Sequence, residues 1–185
     1  MDNFFEDRTI SEKLLQERII FLNGEINSKS AGDIVTKLLY LDSQGIDDIK
    51  LYINSPGGEV ASGLMIYDTM NLVESDVQTI SVGTSASMAA ILLLAGKKGK
   101  RKILPNSKVM LHDLSGETKG KYNDVLVEFN EMNKLHHKLF KMIEENTSLT
   151  KEQIEEYLKK DFWLDSDEAL KYGIVDKIIT NNKQS

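Results

Sequence analysis

Apolar, β-branched runs alternate with segments of helical period along most of the chain, and this alternation restricts the fold more than any other feature. Residues 18–24 (RIIFLNG) read as a strand stopped by a glycine, and 49–54 (IKLYIN), 79–83 (TISVG) and 108–112 (KVMLH) as three more. Helical segments lie between them. Residues 30–45 carry Ile34, Leu38, Leu39 and Leu41 near one face, 59–74 carry Leu64, Tyr67, Met70 and Leu72, and 86–95 form a third. The strands are rich in Ile, Val and Leu throughout, as strands covered on both faces are. The predicted class is therefore α/β, a layered, mainly parallel sheet with covering helices. One element departs from the pattern. Residues 123–146 bear a stripe of Val125, Phe129, Met132, Leu135, Leu139 and Ile143, long enough to project and pack on another subunit. Short helices near 151–158 and 167–172 and the strand GIVDKII close the chain.

With 185 residues the chain fits one domain, 1–185, with a flexible N-terminal segment over 1–12 and a polar tail over 181–185. The net charge of −6 argues against a polyanion-binding surface, and the basic run at 97–102 (KKGKRK) reads as a polar turn before a strand, so no nucleic-acid partner is expected. The absence of cysteine excludes disulfides, thiolate catalysis and cysteine-ligated zinc. No metal is expected. The acidic start lacks the basic and apolar regions of a signal peptide, and the longest apolar stretch (MAAILLLAG) is about half of the ~20 residues that cross a bilayer. No membrane association is expected, and the default location is the cytoplasm.

In parallel sheets of this kind, ligands bind beyond the carboxyl ends of the strands. Two glycine-rich strand exits fall there: residues 53–59 (INSPGGE) and 82–88 (VGTSASM). The second puts Ser87 at a strand-to-helix turn, as in a nucleophile elbow, although GTSAS is not the strict G-x-S-x-G. A helix-capping serine is the competing reading, and the commoner one for the local pattern. At the first exit, the N–H groups of Gly57 and Gly58 can approach a ligand closely and, with that of Met88, form an oxyanion hole. The competing reading is a Pro-Gly turn opening a helix. Of the three histidines, His112 ends a strand on the same edge, whereas His136 and His137 lie mid-helix and read as solvated. Asp113 would face away from the site if the strand continues. Asp161, Asp165 and Asp167 are alternative orienting acids, and the residues themselves do not choose among them.

QERIIFLNGEI, LYINSPGG, IYDTM, GTSASMAAILLLAG, GKRKILPNSKVMLH and DEALKYGIVDKII, in that order, resemble the proteolytic subunit of the ATP-dependent Clp protease over residues 14–179. The resemblance implies a serine endopeptidase that cleaves unfolded proteins and peptides through an acyl-enzyme. By motif it implies Ser87 as nucleophile, His112 as general base, Asp161 as the third triad member, and Gly58 and Met88 as oxyanion-hole donors. It implies no cofactor, since ATP is used by a partner AAA+ Clp unfoldase. It implies two stacked seven-membered rings, pure or mixed with a second paralogous subunit, joined through the projecting helix. An unfoldase-docking pocket falls on Tyr52, Ile80, Val82 and Leu104, with Lys50 and Lys102 where aromatics are common.

The chain departs from the family pattern in places, which marks it as a divergent paralogue. His112-Asp113-Leu114 stands where His-Gln-Pro is usual, and Lys159-Lys160 where an acidic-arginine pair is usual. Lysine lacks the planar fork of arginine, so bidentate pairing is lost there. Two other functions compete: a crotonase-type acyl-CoA enzyme, which shares the fold, and a non-catalytic structural subunit.

Overall fold

The computed structural model describes residues 9–180. In chain order the elements are α1 (Ile10–Gln16), β1 (Ile19–Asn23), α2 (Ser28–Ser43), β2 (Ile49–Ser55), α3 (Val60–Leu72), β3 (Val77–Ala86), α4 (Met88–Leu94), β4 (Lys102–Ile103), β5 (Lys108–Leu111), α5 (Tyr122–Asn146), α6 (Lys151–Tyr157), β6 (Phe162–Leu164), α7 (Ser166–Lys171) and β7 (Lys177–Ile178). The sheet runs β1-β2-β3-β4-β7, with β5 paired to β3 and β6 to β5. Every pairing is parallel except β5 with β6. The α/β class with a mainly parallel sheet holds. Missing from the sequence reading are α1, which begins within the segment 1–12, and the short strands β4 and β6. The rest of that segment, 1–8, and the tail 181–185 lie outside the described residues.

Helix α4 is the centre of the core. All of its residues from Met88 to Leu94 are buried, and it packs on β2, β3 and β5, with α3 wedged between it and α2. The apolar strand positions Ile20, Leu22, Leu51 and Ile53 are buried against these helices. Two residues assigned to buried faces lie outside: Leu39 and Leu72 are 46% and 75% exposed, so each stripe is narrower than its apolar content. At the far edge the Arg101 guanidinium pairs with Asp176 and donates to the Asn146 carbonyl, tying β4, β7 and the end of α5 together.

Helix α5 is 25 residues, about 37 Å, and only Met142 and Ile143, near its C-terminal end, are buried. Its first half carries Leu126, Val127 and Phe129 exposed, with Phe129 at 52%. Among the described residues no helix is long and apolar enough to cross a membrane.

Candidate active site

Strand β3 changes partners half-way, and that change creates the site. Its first half pairs with β4 and its second half, Thr84–Ala86, with β5. The switch falls at Gly83, whose φ of +85° suits glycine and whose missing Cβ leaves room for the Asn54 carboxamide; the same carboxamide accepts from Thr84 N–H. The register Ala86↔Met110 then sets the end of β3 beside the end of β5, and Ser87 N–H donates to Met110 C=O at 2.8 Å. Two residues beyond Met110 is His112.

Ser87 occupies the first position before α4 with φ +56° and ψ −125°, left-handed backbone that costs a non-glycine residue about 1–3 kcal/mol. Its side chain does not cap the helix. The capping reading is therefore not what the fold realises; Ser87 Oγ lies 2.7 Å from His112 Nε2 instead. For the hydroxyl to donate, the ring proton must sit on Nδ1. Nδ1 takes no hydrogen bond among the described residues.

The glycine pair divides its labour. Gly57 N–H is spent on Ser55 Oγ, so it is no oxyanion donor, contrary to the expectation for both glycines. Its contribution is space: at φ +94°, a Cβ there would lie 2.7 Å from Ser87 Cβ and 2.8 Å from Ala86 O. Gly58 and Met88 N–H groups carry no hydrogen bond among the described residues, and both line the cleft that holds Ser87 and His112. Two free donors beside a serine–imidazole contact suit a developing oxyanion.

Asp161 is not in contact with His112. It is exposed and precedes β6. The antiparallel register Leu111↔Phe162 nevertheless makes His112 and Asp161 the next facing pair, one step past the end of the ladder. Asp165 caps α7 by accepting from Glu168 N–H, which uses it structurally. Lys159, just past the end of α6, pairs with Glu156 on that helix at 2.6 Å.

The cleft beside Ser87 has a volume of about 110 Å³, roomy against the 10–15 Å³ that one water needs. Its floor is apolar: Met88, Ile91, Leu139, Phe140 and Ile143. Asp113 and His136 also line it, with His136 Nε2 3.0 Å from Asp113 Oδ1. Continued strand alternation would place Asp113 on the opposite face, and His136, read as solvated from its sequence position, is half-buried here. The strand stops at Leu111, so the alternation that would have turned Asp113 away no longer applies.

A family model for Clp protease matches residues 5–182. The chain belongs to the Clp protease family. It is accordingly a serine peptidase of the Clp type, and members of that family form ring oligomers that work with Clp ATPases. On the sheet face away from α4, Tyr52, Ile80 and Lys102 are successive cross-strand neighbours, and Phe21 stacks on Tyr52 with centroids 5.1 Å apart. Burial, with Lys177 and Lys50 nearby, pushes the Lys102 ammonium below its ordinary range. The basic run 97–102 is largely neutralised: Lys97 and Lys100 pair with Asp76, Lys100 also with Asp48, and Arg101 with Asp176.

Proposed function

We propose that this chain is the serine endopeptidase subunit of a self-compartmentalising, ATP-dependent protease acting on unfolded proteins and peptides. The single observation that carries the reading is the 2.7 Å contact between His112 Nε2 and Ser87 Oγ at a strained strand-to-helix turn. As Ser87 Oγ bonds to the substrate carbonyl carbon, its proton passes to His112 Nε2, and the carbonyl electron pair becomes an oxyanion held by Gly58 and Met88 N–H. Collapse breaks the C–N bond, the imidazolium protonates the departing amine, and the acyl group stays on Ser87. Water then repeats the sequence with His112 as base and frees the acid. The apolar floor of the cleft favours apolar side chains next to the attacked carbonyl.

Asp161 enters as the orienting acid when the β5–β6 ladder lengthens by one pair. Facing residues of an antiparallel pair have Cβ atoms about 4.5–5.5 Å apart, within reach of a carboxylate for Nδ1–H. Assembly into two stacked seven-membered rings through α5 supplies the force for that step, and a AAA+ Clp unfoldase delivers substrate using its own ATP. The working compartment is the cytoplasm, and no cofactor is required by this chain.

The separation of Asp161 from His112 favours a second reading, a non-catalytic subunit in mixed rings. Labelling with a fluorophosphonate decides between them. The catalytic reading expects stoichiometric modification of Ser87, abolished in Ser87→Ala, together with a loss of peptide turnover on the order of 10³-fold or more. An unlabelled Ser87 in intact mixed rings refutes it.

A further inference from the structure

The cleft wall holds an aspartate–histidine pair that the acyl-transfer steps leave unused. Asp113 Oδ1 accepts from Leu114 N–H at 2.7 Å and lies 3.0 Å from His136 Nε2, while its other oxygen takes no hydrogen bond among the described residues. Burial runs in one direction through the cleft. Met88 and Ile143 at the floor are each 3% exposed, whereas the side chains of His136 and Asp113 are 39% and 56% exposed. The Asp113–His136 pair therefore stands at the mouth and the apolar surface lies at the bottom.

We propose that Asp113 and His136 set the charge preference of the substrate cleft, admitting a lysine side chain beside the attacked carbonyl and rejecting a glutamate. The proposal rests on the peptidase reading and specifies its substrate class. Lysine can lay its methylene stem along Met88, Ile91 and Phe140 while its ammonium stays at the wet mouth. There the unsatisfied Asp113 oxygen is its acceptor. Glutamate offers a shorter stem and meets a carboxylate of its own sign. His136, already 3.0 Å from Asp113 Oδ1, competes with the substrate cation for this carboxylate and so weakens the preference. The side chains at the mouth are half in water, which keeps the expected discrimination modest, about 3- to 10-fold between Lys and Glu.

The test compares kcat/KM of the assembled full chain on three quenched peptides differing only in Lys, Gln or Glu at the attacked residue. The ratio of Lys to Glu is read within each variant, so a uniform loss of turnover cancels. Wild type is expected to favour Lys, Asp113→Asn to bring the ratio near one, Asp113→Lys to invert it, and His136→Gln to raise it. A merely structural role for Asp113 would lower all three rates together and leave the ratio fixed. An unmoved ratio in Asp113→Asn and Asp113→Lys, with Ser87 still labelled by fluorophosphonate, overturns this proposal alone. Absence of labelling in wild type overturns the peptidase reading and this proposal with it.

Discussion

Replacing Gly57 with alanine tests whether the nucleophile turn depends on an empty space. The added Cβ would sit 2.7 Å from Ser87 Cβ and 2.8 Å from Ala86 O, about 0.6–0.7 Å short of the 3.4 Å at which ordinary contact begins. Neither neighbour is a flexible side-chain tip; one is the first atom of the Ser87 side chain and the other is backbone. The turn must therefore open. Ser87 Oγ now sits 2.7 Å from His112 Nε2, and a displacement of that size takes the pair to the edge of hydrogen-bond reach or beyond. Misplacement of a reacting group by about 1 Å can cost on the order of 10²-fold, and a residue forced to keep φ near +94° adds roughly 1–3 kcal/mol of strain. The expected result is a fall of about 100-fold in the fluorophosphonate labelling rate and in peptide kcat. Melting should drop by about 2–12 °C. Wild-type labelling by Gly57→Ala would show that the turn yields without moving Ser87, and the account of the glycine would be wrong.

Other perturbations probe the frame around the site. Asp176→Asn strips the counter-charge from the Arg101 guanidinium, whose side chain is 5% exposed, and should cost about 3 kcal/mol, or roughly 6–12 °C in calorimetry. Burial pushes the Asp176 carboxyl up, but hydrogen bonds from the Arg101 side chain and from the Arg101 and Gly99 N–H groups outweigh it and hold the group below its usual range. Its contribution is therefore present above the ordinary aspartate pKa and lost as pH falls through the lowered one, so the gap between wild type and variant should close below about pH 4; a gap constant down to pH 2 would refute this. Lys102→Leu removes a partly desolvated ammonium from beside Ile80 and should tighten binding of an apolar unfoldase loop peptide by a few-fold; unchanged or weaker binding in titration calorimetry would count against that face as the docking site. Phe129→Asp, on the exposed half of α5, should halve the assembly mass seen by light scattering if that helix joins two rings, and an unaltered mass would remove α5 from the ring contact.

What the sequence made legible follows the range of the interactions involved. The Ile/Val/Leu runs and the helical periods are local signals, and they placed the four long strands and the covering helices within a few residues. The two glycine exits were legible for the same reason, since a positive φ at Gly57, Gly58 or Gly83 is a property of a single residue. Pairs across the chain were not. β4 and β6 hold two and three residues, too few for any period to show, and they exist only because a neighbouring strand offers a ladder. The opposition of His112 and Asp161 depends on the β5–β6 register, which no stretch of either strand encodes alone; the resemblance chose Asp161 where the residues left three acids open. His136 shows the limit most sharply. Its place on α5 fixes the face it occupies, but that the same face meets Asp113 follows from β5 ending at Leu111, where its ladder with the distant β6 closes on Phe162. Ser87 and His112 could be proposed from the sequence because each ends a strand at a glycine-rich edge, although the local pattern of Ser87 alone favoured a cap, whereas the pair that we assign to charge selection exists only where two unremarkable positions are folded against each other.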